Sequence, residues 1–431
     1  MDGLERTSRG PGACITFIAL GLAACGSPSA ETDAGPDDAG AAMDEGVDAG
    51  VDQGPDDLGV DGGRGPAWEG PRLSGQFLLG PDDYDAHVAK TGAGTAVVHF
   101  FPEWLYAVGV GAATLDPTTR VEPRPLVEGE LAFLDFAFRP GTTVAISWAM
   151  PLAVFDVPAA AWPNVPTVRD LLSGRYDDYV RTFAREIGRL ESDVMLTMFG
   201  EFDNNAFYAY GPEGLHAPAP DPDVPAELQV PVAEDLRGHY GDPTVPDGPE
   251  RVRDAFIRVI GLFREEGVTD VRWFMYGSSG FLGTTDEDRD EELTPVLEEL
   301  NQVAFFYPGD EYIDFVGKSL HHDGLASLRA RFEGAYAAWG AVTGRPFFSP
   351  EFSINEGVGV ASRAALIAEE FGTYFPSFPR FAGFAMVDQD PVTGDDTFGL
   401  VTLGGEEGEF PDEVAAWREH VVDAEGWAVV R

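Results

Sequence analysis

The fold is decided between Gly174 and Glu201, where Gly174-Arg-Tyr-Asp-Asp-Tyr-Val-Arg-Thr-Phe-Ala184 leads on to Val194-Met-Leu-Thr-Met-Phe-Gly-Glu201. In the first part Tyr179, Val180, Phe183, Ala184, Ile187 and Leu190 recur at the spacing of one helix face. The second part is a short apolar run from Val194 to Phe199, ended by glycine and glutamate. Short apolar runs that alternate with longer amphipathic segments argue for β/α units rather than an all-β sandwich.

Working outward from this unit, the alternation repeats from Trp68 to the end of the chain. Candidate strands are Gly75–Leu79, Ala96–Phe101, Val144–Trp148, Val194–Phe199, Val271–Met275, Ile313–Val316, Pro346–Ser349 and Phe381–Met386. Eight such runs fit a closed (β/α)8 TIM barrel, an α/β fold, better than an open sheet. A second checkable helix face carries Val252, Ala255, Phe256, Val259, Ile260 and Phe263, with Pro249 at its start. Two insertions interrupt the pattern. Residues 102–142 contain Leu131-Ala-Phe-Leu-Asp-Phe-Ala-Phe138, read as an extra hairpin or displaced strand. Residues 204–246, rich in Pro, Gly, Asp and Tyr, leave the C-terminal end of the fourth strand and are expected to shape a cleft.

The barrel accounts for residues 69–431, and two segments precede it. Residues 1–25 carry Arg6 and Arg9, then an apolar stretch from Ala13 to Leu22, then Ala23-Ala24-Cys25. The apolar stretch is too short to span a membrane as a helix and has the form of a signal peptide. Leu22-Ala-Ala-Cys25 resembles a bacterial lipobox, which implies lipidation of Cys25 and a membrane anchor for an exported protein. Gly26 in place of aspartate favours transfer to the outer membrane or cell surface. Residues 26–68 are Gly, Ala, Asp and Pro with almost no large apolar side chain, and are expected to be a disordered acidic tether.

The chain of 431 residues has a formal net charge of -46, which repels nucleic acid and argues against it as a partner. Its only cysteines are Cys14 and Cys25, so no disulfide or thiolate metal site can form beyond residue 25. Neither a P-loop nor a Gly-x-Ser-x-Gly elbow is present; Tyr276-Gly-Ser-Ser-Gly-Phe281 lacks the elbow spacing.

Two glutamates stand directly after apolar runs. Glu201 follows Val194–Phe199, and Glu351 follows Arg345-Pro-Phe-Phe-Ser-Pro350. Taken singly, each could be a solvated charge at a strand end. At the C-terminal ends of the fourth and seventh strands of one barrel, however, the pair could face each other across a cleft. Retaining glycoside hydrolysis uses two carboxyl groups about 5 Å apart, one protonated and one ionised.

Several segments resemble glycoside hydrolase family 26, the β-mannanase-type members of the clan A barrels. Gly174–Ala184 is similar to the segment before the acid/base strand, and Phe199-Gly-Glu-Phe-Asp-Asn-Asn-Ala-Phe-Tyr-Ala-Tyr210 to the acid/base motif with its aromatic loop. Tyr307-Pro-Gly-Asp-Glu-Tyr-Ile-Asp-Phe-Val-Gly317 resembles the approach to strand six, and Gly344-Arg-Pro-Phe-Phe-Ser-Pro-Glu-Phe352 the nucleophile strand. The resemblance implies Glu201 as general acid/base, Glu351 as nucleophile, a β-linked polysaccharide such as β-mannan as substrate, and no cofactor or metal. Three positions depart from the family pattern: Gly200 replaces a histidine, Thr197 an arginine and Asp203 an asparagine. Where the family has a tyrosine after strand six, this chain offers His321 and His322, which either replace that contact or lie on the surface.

Sugars bind by stacking on aromatic faces together with hydrogen bonds. Trp148 and Trp273 at strand positions, Tyr208 and Tyr210 on the loop after Glu201, and His321 are the chosen substrate-binding candidates; Trp104, Trp162, Phe207 and Tyr276 complete the aromatic set. The rival reading is a non-catalytic carbohydrate-binding lipoprotein on a degenerate barrel, favoured by Gly200 and Thr197, and a third is a structural envelope protein. Fold alone does not decide among them.

Overall fold

A computed structural model of the chain describes residues 66–77, 81–100, 105–107, 121–123, 141–148, 171–202, 248–277, 303–322, 325–354, 360–386 and 411–430. Eight strands form its centre: β1 (Arg72–Phe77), β2 (Val97–Phe100), β3 (Thr143–Ser147), β4 (Val194–Thr197), β5 (Arg272–Gly277), β6 (Phe315–Lys318), β7 (Phe347–Ile354) and β8 (Phe381–Met386). Each runs parallel to its successor. β8 returns to β1 through the pairs Leu73↔Gly383 and Gln76↔Met386, which closes the sheet into a barrel. The eight apolar runs are these strands with shifted ends, and β7 continues to Ile354 where the sequence suggests a stop at Ser349.

Helices follow the strands on the outside: α1 (Pro81–Thr91), α2 (Asp177–Ile187), α3 (Gly248–Glu265), α4 (Leu325–Val342), α5 (Val360–Glu369) and α6 (Pro411–Trp417). The face predicted for α2 is buried at Val180, Phe183, Ala184 and Ile187. Because successive strand side chains point to opposite faces, each strand serves two cores. The larger one takes Val98, Ile146, Leu196, Met275 and Val316 outward against helix residues such as Phe183, Val259, Phe263 and Trp339. A smaller cluster of Val97, Ala145, Met195, Phe274, Tyr276, Phe315, Phe348, Ala382 and Ala385 fills the barrel itself.

Trp68 lies against this inner cluster, with its ring 5.8 Å from that of Phe315 at the first residue of β6. Its backbone N–H donates to Pro379 O, just ahead of β8, so the chain enters at the N-terminal end of the barrel. The first insertion contains a short antiparallel pair, Leu105–Ala107 with Val121–Pro123. The predicted hairpin at Leu131–Phe138 and the second insertion, 204–246, lie outside the described residues, as do segments 1–25 and most of 26–68.

Closure brings backbones close enough that Gly75, Gly317 and Gly383 admit glycine alone. A Cβ on Gly317 would lie 1.8 Å from Phe348 O, and one on Gly383, where φ is 143°, 2.1 Å from Leu73 O. Gly317→Ala and Gly383→Ala are each expected to lower stability by roughly 2–4 kcal/mol in urea unfolding. An unchanged midpoint in both variants would contradict the close β6–β7 and β8–β1 approaches.

Candidate active site

The C-terminal ends of the barrel strands carry the polar groups. β4 ends at Thr197, and the chain turns through Gly200 to Glu201, whose φ of 50° is the only positive value among described non-glycine residues. A left-handed backbone costs about 1–2 kcal/mol for a residue with a Cβ. The turn is fixed on its far side by Phe202, whose N–H donates to Tyr276 O at 3.3 Å. Phe202 itself is buried against Phe306 and Trp339, so the turn packs inward and Glu201 is only 4% exposed.

Glu351 is positioned differently. It lies within β7, not after it, one residue past Pro350. Proline has no N–H to give a ladder, and the β7–β8 register shifts between the pairs Ser349↔Phe384 and Phe352↔Met386. This irregularity re-aims the strand where the carboxylate leaves it, and Glu351 is 1% exposed. Ser349 Oγ, which donates to Lys318 O at 2.8 Å, ties the same stretch to β6.

Tyr276 is tied to the surroundings of both glutamates. Tyr276, at the end of β5, donates its O–H to Glu351 Oε1 at 2.6 Å. Burial, the charge of Glu351 and the charge of Glu201, in that order, push the Tyr276 phenol well above its ordinary value. The hydroxyl therefore keeps its proton and acts as a donor. Both carboxylates thus act electrostatically on the same buried group. Behind it, Ser147 Oγ of β3 lies 3.1 Å from the Tyr276 hydroxyl and 2.8 Å from His99 Nε2 of β2. His99 Nδ1 is 2.8 Å from Pro350 O. Burial pushes the His99 imidazole down to about 4, against the opposing influence of Glu351 and the Pro350 carbonyl.

The two glutamates chosen from sequence are therefore brought to the same end of one barrel and the same tyrosine. The tryptophans are not. Trp148 is fully buried and stacks on Phe183 of α2 at 3.8 Å, nearly parallel. Trp273 is 4% exposed and meets Phe263 of α3 edge-on at 5.0 Å. Both occupy the outward phase of their strands and hold helices onto the barrel, so their assignment to substrate is corrected to core. Tyr276, counted among the stacking aromatics, has its ring stacked on Phe274 inside the barrel and acts through its hydroxyl. His321 lies in the short strand Leu320–His322, opposite Ser353 of β7. Tyr208, Tyr210 and Cys25 fall outside the described residues.

Sequence reasoning missed the roles of His99, Ser147 and the Tyr276 hydroxyl. The available signal was phase: each is a polar group at an inward position of an otherwise apolar strand, two residues on from Val97, Ala145 and Phe274 and on the same face.

No family model matches the chain, and no curated protein matches it. Among solved structures, the chain is similar to a GH26 β-mannanase from Bacteroides ovatus, at 12% identity and a TM-score of 0.48, over 84% of this chain and 91% of that one. It is similar to the GH26 domain of an endo-β-mannanase/endo-β-glucanase from Prevotella bryantii, at 12% identity and a TM-score of 0.46, over 84% and 91%. A Bacillus subtilis mannanase gives 15% identity and a TM-score of 0.40, over 79% and 90%.

The backbone at Glu201 gives a test independent of activity. Glu201→Gly is expected to be more stable than Glu201→Ala by about 1 kcal/mol, the reverse of the usual order in strands and helices, because glycine adopts positive φ without strain. Thermal or urea unfolding of the two variants reads the difference, and a more stable alanine variant would remove the strained turn from the account.

Proposed function

We propose that the chain is a glycosidase that hydrolyses a β-linked polysaccharide, β-mannan or a related β-glycan, by double displacement. The observation that carries this reading is that Glu201 and Glu351, both buried, lie at the C-terminal end of one (β/α)8 barrel beside Tyr276, whose hydroxyl donates to Glu351 and whose carbonyl accepts from Phe202, the residue after Glu201. That end of such barrels is where catalytic groups from different strands meet.

In this mechanism Glu351 is the nucleophile. Its ionised oxygen attacks the anomeric carbon while Glu201, protonated, gives its proton to the departing glycosidic oxygen. The glycosidic C–O bond breaks and a glycosyl ester to Glu351 forms. Glu201, now ionised, takes a proton from water as the water oxygen attacks the same carbon, and Glu351 leaves as carboxylate. Two inversions give net retention. Tyr276 supports the first step by holding Oε1 of Glu351 in place and favouring its charged form.

In the same reading, Cys25 anchors the protein to the bacterial envelope by its lipid, and the tether runs from residue 26 to residue 67, one short of the sequence boundary because Trp68 packs on the barrel. Trp68 docks at the end of the barrel remote from the carboxylates, which suits a site facing away from the anchoring surface.

The deciding experiment is hydrolysis of β-mannan, β-glucan and xylan by the chain from Trp68 onward, beside Glu201→Gln and Glu351→Gln. Release of sugar from one polymer, reduced at least about 100-fold by either substitution, is the expected result. Polymer binding without turnover in all three proteins would leave a surface carbohydrate binder, the reading that Gly200 and Thr197 favour. Proton NMR of the first-formed product is expected to show the anomer of the substrate; the opposite anomer would rule out double displacement.

A further inference from the structure

The four-residue array behind Glu351 has a countable number of protons. Its contacts are Pro350 O with His99 Nδ1, His99 Nε2 with Ser147 Oγ, Ser147 Oγ with the Tyr276 hydroxyl, and that hydroxyl with Glu351 Oε1. Neutral His99 brings one hydrogen, Ser147 one and Tyr276 one, whereas ionised Glu351 brings none. Four contacts thus share three protons.

The chemistry decides which contact goes without. A carbonyl oxygen only accepts, so Nδ1 carries the His99 proton towards Pro350 O and Nε2 is an acceptor. Ser147 then donates to Nε2 at 2.8 Å, and Tyr276 donates to Glu351 at 2.6 Å. The contact left without a proton is Ser147 with Tyr276, which at 3.1 Å is the longest of the four. A fourth proton would satisfy every contact in either of two ways. On His99, all hydrogens except that on Nδ1 point towards Glu351, which stays ionised. On Glu351, they all point the other way and His99 is neutral.

We propose that His99 and Ser147 are positioning residues of the nucleophile, and that with Tyr276 and Glu351 they bind one proton as a unit across the barrel. This rests on the glycosidase reading for its catalytic consequence, though not for the array itself. Among the described residues, the charged group that acts on His99 is Glu351 on β7; Glu201, after β4, acts on the array at Tyr276, and Phe274 of β5 lies edge-on to the imidazole at 6.1 Å. The acidic limb of the activity profile then belongs to the array rather than to Glu351 alone. Cutting the array at Ser147 leaves Tyr276 and Glu351 satisfied without an extra proton. The gain on proton uptake is thereby lost, and the limb moves to lower pH.

The test combines kinetics with a readout that needs no substrate. In Ser147→Ala the acidic midpoint of kcat/KM is expected to fall by about one pH unit, the worth of a single hydrogen bond, and to return in Ser147→Thr, which keeps the hydroxyl. Separately, ring-¹⁵N NMR of His99, assigned through His99→Gln, follows its tautomer and titration. The expected result is an Nδ1–H tautomer whose midpoint falls in Glu351→Gln, because the amide supplies the missing proton, and a much smaller response to that change when Ser147 is alanine. An unmoved acidic limb in folded Ser147→Ala, or a His99 midpoint indifferent to Glu351→Gln, would overturn the proposal. If no polymer is hydrolysed, the NMR arm still decides the array while the glycosidase reading falls on its own.

Discussion

Closure of the barrel is the constraint on which the rest of the structure depends. Once β8 pairs with β1, none of the eight barrel strands is left at a sheet edge, and every inward side chain must be apolar or find its polar partner within the barrel. Most inward positions satisfy this with Val97, Ala145, Met195 and Phe315. Towards the C-terminal ends they do not: His99, Ser147, Tyr276 and Glu351 arrive from four strands and meet one another. The same closure presses β7 against β6 so tightly that Gly317 has no room for a Cβ, while Pro350 spoils the ladder on the β8 side. The site is thus formed where regular pairing ends, and the regular part of the barrel holds its members in place.

The fold was legible because its evidence is local and repeated. Eight apolar runs, two helix faces with checkable periodicity and a glutamate after each of two runs place the strands and both carboxylates at the correct end. Legibility failed where a side chain's role depends on phase within a strand. Trp148 and Trp273 look the same in sequence whether they point to sugar or to a helix, and only the pleat, anchored by neighbours such as Ile146 and Met275, sets them facing outward. The same rule applied consistently would have drawn attention to His99 and Ser147. The extent of β7 was misjudged for a related reason: Pro350 reads as a strand end, yet a bulge absorbs it and the strand continues through Glu351.

Tyr276 shows how one residue can belong to core and site at once. Its ring stacks on Phe274 and fills the barrel, which fixes the hydroxyl far more tightly than a surface tyrosine could be fixed. With the hydroxyl kept protonated by burial and by two carboxylates, its direction is set towards Glu351. Preorganisation of this kind needs no reorganisation when charge moves during a reaction.

The energetic cost of the arrangement bears on whether the barrel is a scaffold or a working site. Glu201 holds a left-handed backbone that disfavours any side chain, and two carboxylates are buried where apolar or amide groups of similar size would fill the space. None of this helps the barrel to close: β4 ends before Glu201, and the β7–β8 pairing skips past Glu351. Stability alone gives no reason for strain and buried charge placed together at one end of the barrel. Departures from local consistency that cluster at the C-terminal mouth of a barrel have a physical rationale in chemistry performed there.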